Sequence, residues 1–223
     1  MRRGKELILT AGLLVCLQTL AGAQEPTIQG IPADVYYLMP SFGKGMIYFR
    51  GQGPAQGDLN ICAVDNTLRF IDGEGKELVA SEVDNVIMVR IDTVAFLRSQ
   101  GTFFRTYPVS DGVGAALRRE VRIVKDEKKG GYGTTSRTSS TKEYGTLYAE
   151  GAVYDLDKDK VYPYEVHEYI FLYEGNDVIP LSKNNLKKLF PERKEEIEAY
   201  FKAGNPVPKK LDETIALLSL WVQ

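Results

Sequence analysis

Histidine occurs once among the 223 residues, tryptophan once and cysteine twice. Each scarcity removes a class of chemistry. Zinc sites of the usual kinds take two or more His or Cys ligands. A Ser–His or Cys–His hydrolase would have to work through His167 alone, and no Gly-x-Ser-x-Gly elbow is present. No apolar run reaches the ~20 residues of a spanning helix. With 28 Lys+Arg against 30 Asp+Glu and no basic block, the chain as a whole lacks the electrostatic footprint of a nucleic-acid or anionic-lipid binder. No repeat of fixed period is visible. No strand is followed by a long helix and a parallel return, which excludes a doubly wound fold.

What is present begins with an address. Residues 1–23 run from Arg2, Arg3 and Lys5 through an apolar stretch to Ala21-Gly22-Ala23, and polar Gln24-Glu25-Pro26 follow. That is the order of a secretory leader cleaved after Ala23. Leu13-Leu14-Val15-Cys16 resembles a lipobox, but Val15 stands where a small residue is required and the residues after Cys16 stay apolar. Processing at Ala23 is therefore the expectation, with an exported product, periplasmic or associated with the outer membrane. Cys62 would then be the only cysteine, so no internal disulfide is possible. Its setting, Leu59-Asn60-Ile61-Cys62-Ala63-Val64, suits a small buried hydrophobe.

The body predicts a mainly β (α+β) fold: an antiparallel β meander, sandwich-like, followed by two or three C-terminal amphipathic helices. Strands are expected at residues 35–39, 45–50, 59–64, 67–71, 77–80, 86–91, 94–97, 102–107 and 117–125. Asp65-Asn66, Asp72-Gly73-Glu74-Gly75 and Arg98-Ser99-Gln100-Gly101 are turn sequences between them. In the last strand Leu117, Val121 and Ile123 alternate with Arg118, Glu120 and Arg122, the period of a half-exposed antiparallel strand. Residues 144–155 and 161–173 predict a long hairpin. After Ser182, an N-cap, the period becomes helical. Leu186, Leu189 and Phe190 mark one helix; Pro191 opens a second bearing Ile197, Tyr200 and Phe201; Leu211, Ile215, Leu218 and Val222 mark a third. Residues 126–142 are too polar to order themselves and predict a flexible loop. The expected organisation is leader 1–23, β unit 24–125, loop 126–142 and hairpin plus helices 143–223, the last either separate from 24–125 or one domain with it.

Few groups invite chemistry. Asp155, Asp157 and Asp159 could hold Ca²⁺, but an EF-type loop needs Gly and Glu where Lys160 and Val166 stand. The clusters at Gly112–Gly114 and Gly130–Gly133 lack the helix N-terminus of a phosphate cradle. His167 shares a strand face with Glu165, Tyr169 and Phe171. Tyr144, Tyr148, Tyr164 and Tyr169 are the candidate binding residues, since tyrosine offers rigid contact area with a polar tip. No cofactor is expected.

The leader, the tract Asp65-Asn-Thr-Leu-Arg-Phe-Ile-Asp-Gly-Glu-Gly-Lys-Glu-Leu78 and the ending from Phe171 to Trp221 together resemble exported β-rich proteins of Bacteroidota-type bacteria. In that group the turn Gly175-Asn-Asp-Val-Ile-Pro-Leu181 is followed by a helix like Asn185-Leu-Lys-Lys-Leu-Phe-Pro191 and a final amphipathic helix. The resemblance implies envelope residence and carries no catalytic residue. The functional expectation is a non-enzymatic binding or structural module whose partner is an envelope protein or glycan, with no nucleic acid and no transmembrane segment in the processed chain. The alternative is a carboxylate-dependent, Ca²⁺-assisted hydrolase.

Overall fold

In a computed structural model, residues 31–81, 83–123 and 163–222 are described. They form a mainly β fold with one antiparallel sheet of ten strands and short helices at the C-terminal end. The strands are β1 (Gly43–Phe49), β2 (Ala55–Ile61), β3 (Leu68–Ile71), β4 (Glu77–Val79), β5 (Val86–Ile91), β6 (Val94–Ser99), β7 (Thr102–Ser110), β8 (Val113–Ile123), β9 (Tyr164–Glu174) and β10 (Asp177–Pro180). A helical turn α1 (Ala33–Tyr36) precedes them, and α2 (Lys183–Leu189), α3 (Lys194–Lys202) and α4 (Leu211–Trp221) follow. The order across the sheet is β10-β9-β8-β7-β6-β5-β1-β2-β3-β4. Among the described residues no helix is long and apolar enough to cross a membrane.

Turn chemistry sets the meander. Asn66, Asp92 and Gln100 take positive φ, as do Gly75, Gly101, Gly112 and Gly175, the conformation that tight hairpins demand. β8 and β9 then pair in register over eleven residues, from Val113↔Glu174 to Ile123↔Tyr164. The expected strand at residues 35–39 is not one. Tyr36 closes a helical turn instead, and only Tyr37 makes an isolated bridge, to Cys62. The cause is tertiary: Ile61 O accepts from Leu38 N and Tyr36 O accepts from Ala63 N, so this segment satisfies its backbone by crossing the end of β2. Strand β2 also begins at Ala55, inside a Gly-rich tract that reads as loop, because pairing with Met46 and Ile47 fixes it there.

Cross-strand register divides the apolar residues of the sheet between its two faces. Leu59, Ile61, Leu68, Val89, Ile91, Phe96 and Phe103 lie on one face and are buried together. Asn66, between β2 and β3, ties that turn to the β6–β7 turn: its Nδ2 donates to Gly101 O and its Oδ1 accepts from Phe103 N. Leu97, Phe104, Ala116 and Tyr173 form a second core on the opposite face. There β10 comes over to touch β6, although three strands separate them in the sheet.

The helices seal the first face at its far end. Ser182 Oγ accepts from Asn185 N at 3.2 Å and caps α2. Leu186, Ile197 and Leu218, all fully buried, then pack with Ala115 and Leu172.

Candidate functional site

Two side-chain clusters hold the chemistry of the described residues. The first is an open strip on β8 and β9. Alternation puts Arg118, Glu120 and Arg122 on one face, and the register sets Tyr169, His167 and Glu165 directly opposite them. Glu120 Oε1 accepts from Arg122 Nε at 2.8 Å and its Oε2 from Arg118 Nη2 at 3.2 Å. Arg122 Nη2 donates to Tyr169 Oη at 3.2 Å. The Arg118 guanidinium lies 5.9 Å from the Tyr169 ring centre, and the His167 ring stacks on the same tyrosine at 6.3 Å. His167 Nε2 lies 3.2 Å from Glu165 Oε2. Burial alone would raise the Glu120 carboxyl, but the Arg122 hydrogen bond and the Arg118 and Arg122 charges outweigh it and hold the group below the usual glutamate range. The strip is thus a charge-balanced row in which Tyr169 remains 37% exposed.

The second cluster is covered by the N-terminal segment. Arg69, whose side chain is only 11% exposed, forms an ion pair with Asp65 and reaches Glu77 Oε1 at 3.4 Å. Its Nε donates to Thr67 Oγ1 at 2.6 Å, and that hydroxyl donates to Asp65 Oδ1 at 2.6 Å. Tyr37 Oη donates to Glu77 Oε2 at 2.6 Å. Cys62 is fully buried beside Tyr36. Burial is the main cause that pushes its thiol up to about 12, and the Asp65 charge adds to it. A thiol so placed is not a nucleophile at neutral pH.

That displacement has a measurable sign. The unfolded thiol ionises near pH 8.5, about where a free cysteine does, whereas the folded one resists until about 12. The contribution is whole below about pH 8.5 and is lost as pH rises toward the folded value, at about 1.4 kcal/mol per pH unit. Tyr36 and Tyr37, both raised by burial, add to the loss above about pH 10. Urea midpoints between pH 7 and 10 should fall in the wild type and fall less in Cys62→Ala. Parallel curves would show that the thiol does not contribute.

The structure separates the candidate tyrosines. Tyr169 lies on the open strip. Tyr164, five residues earlier on the same strand, faces the other way and packs with Ile31, Tyr36 and Val121. Tyr144, Tyr148, Asp155, Asp157 and Asp159 lie outside the described residues, as do the loop 126–142 and the first arm of the long hairpin. Among the described residues no group of three or more His, Cys, Asp or Glu is placed to hold a metal. The arginines of the strip and the Arg69 cluster carry no motif. The alternation of Arg118, Glu120 and Arg122 was the one local signal, and it names no partner. A scan against protein-family models finds no match, and no curated protein or solved structure is significantly similar to the chain.

Proposed function

We propose that the chain is an exported cell-envelope module that acts by binding, with the β8–β9 strip as its contact surface for an envelope protein or glycan. The leader-like N-terminus supports export. The observation that carries the binding reading is Tyr169: an exposed aromatic ring held between Arg118 and His167 on two strands paired over eleven residues. Such a ring is pre-ordered, so little side-chain freedom is lost when a partner covers it. Tyrosine and arginine are also the residue types that concentrate binding energy in contact surfaces.

The test is photo-crosslinking in the producing cells, with benzoylphenylalanine at position 169 and, as a control, at position 44 on β1. The proposal expects processed protein in the exported fraction and a discrete adduct at 169 only. Arg118→Glu should cut that adduct several-fold. Equal labelling at both positions, or an adduct indifferent to Arg118→Glu, would refute the surface assignment.

A further inference from the structure

Strand β9 is longer than its cover. It runs from Tyr164 to Glu174, and β8 pairs with it along that whole length. On the other side β10 reaches only Phe171 to Glu174. Among the described residues no strand lies beside positions 164–170 on that side. The backbone there is aimed outward at every second residue. Gly175 N donates to Gly112 O, toward β8, while Val121 N donates to Ala63 O, away from β9. Carried along an unbroken register, this alternation turns the N–H and C=O groups of Tyr164, Val166, Glu168 and Ile170 away from β8. A row of backbone groups that its own sheet does not pair is a template for another strand. Val166, at the middle of the row, is 44% exposed.

We infer that a second copy of this chain adds its own β9 to this edge, antiparallel, about a two-fold axis at Val166. The order of residues selects that occupant. Such pairing sets Val166 against the partner's Val166, Glu165 against the partner's His167, and Tyr164 against the partner's Glu168. By symmetry His167 then meets the partner's Glu165. The exposed apolar side chain is covered by its own kind, each imidazole faces a carboxylate, and no two carboxylates are opposed. Moving the axis to Glu165 or Glu168 would set like charges face to face. Moving it to His167 would leave Val166 opposite the partner's Glu168. An axis perpendicular to the sheet also keeps its faces together, so the β8–β9 strips of the two copies adjoin on one side of the joined sheet. The inference stands on the edge and not on what the strip binds.

The experiment is sedimentation velocity of the full chain, with every variant carrying the same leader so that differences report the folded part. Monomer should give way to dimer as the concentration rises from about 1 to about 100 μM, the range of a small interface. Val166→Lys and Val166→Glu each set like charges on the axis and should weaken self-association about tenfold or more. Mixing the two variants should restore it, because lysine then meets glutamate. In a Cys16→Ser background, Val166→Cys should oxidise to a disulfide dimer, since opposed residues of a hydrogen-bonded pair lie about 5.5 Å apart at Cα. Val79→Cys, equally exposed on β4 at the other edge of the sheet, should not. Circular dichroism of each variant keeps misfolding apart from lost pairing. An envelope adduct at 169 reports the strip and a chain-to-chain disulfide at 166 reports the edge, so each reading can fail alone. A mixture no more associated than either variant, or equal crosslinking at 79 and 166, would overturn the inference. So would a monomer throughout, and slow reaction of Val166→Cys with a soluble maleimide would then assign the edge to other residues of the same chain.

Discussion

Arg69→Met is expected to lower the unfolding free energy by about 3–5 kcal/mol, the usual cost of breaking a buried ion pair by removing one partner. The guanidinium satisfies three acceptors at once: Asp65, Glu77 and the Thr67 hydroxyl. Asp65 and Glu77 side chains are each only 20% exposed, so neither carboxylate can recover its hydration where it stands. The lesion also travels. Glu77 accepts from Tyr37 Oη, and Tyr37 belongs to the segment that crosses β2 and covers Cys62. Loosening that segment opens the cover of a whole core cluster. Urea unfolding with linear extrapolation measures the loss. Asp65→Asn/Glu77→Gln in the Arg69→Met background should recover a substantial part, because the penalty lies mainly in the orphaned carboxylates. A loss below 1 kcal/mol, or no recovery in the triple variant, would show that the cluster is a solvated surface network.

That cluster illustrates where the sequence stops being informative. Strand β5 at Val86–Ile91, the Asp72–Gly75 turn, the Ser182 cap and the stripe of Leu211, Ile215 and Leu218 all follow from neighbours along the chain. Local propensity and turn chemistry therefore locate them. The contacts of Arg69 with Glu77, and above all of Tyr37 with Glu77, depend on which segments cross, and forty residues separate the last pair. The strip shows the same boundary. Alternation alone puts Arg118, Glu120 and Arg122 on one face, and His167 with Tyr169 on another strand. Only the β8–β9 register, between segments far apart in the chain, turns two rows into one surface. A one-residue slip would have sent Tyr169 to the face of Tyr164. The expected strand at residues 35–39 fails for the same reason, since its backbone partners belong to a distant strand end.

Gly114→Ala is expected to destabilise the protein by about 3 kcal/mol or more, at the upper end of what overpacking costs. Sequence alone makes Gly112 and Gly114 look like equivalent turn glycines, and the structure separates them. Gly112 has φ +71 and ends the β7–β8 hairpin, where a Cβ meets only Gly175 N at 3.9 Å. Gly114 lies inside β8, opposite Pro108 and Tyr173. A Cβ there would sit 2.2 Å from Tyr107 O, 2.9 Å from Pro108 Cα and 2.8 Å from the Tyr173 ring. Two of those atoms are backbone, so no rotamer change relieves the clash and β7 must move away from β8. The neighbours make that movement costly. Tyr107 and Val113 pack under the helices, while Tyr173 belongs to the core on the opposite face. One methyl group therefore strains both cores at once. Gly57→Ala is the matched control, because its Cβ would meet only Leu59 Cδ2 at 3.4 Å, an ordinary contact, and its unfolding midpoint should stay near that of the wild type. If Gly114→Ala unfolds within 1 kcal/mol of the wild type, β7 and β8 are not in the close approach that places Tyr173 and Ala115 on opposite sides of one sheet.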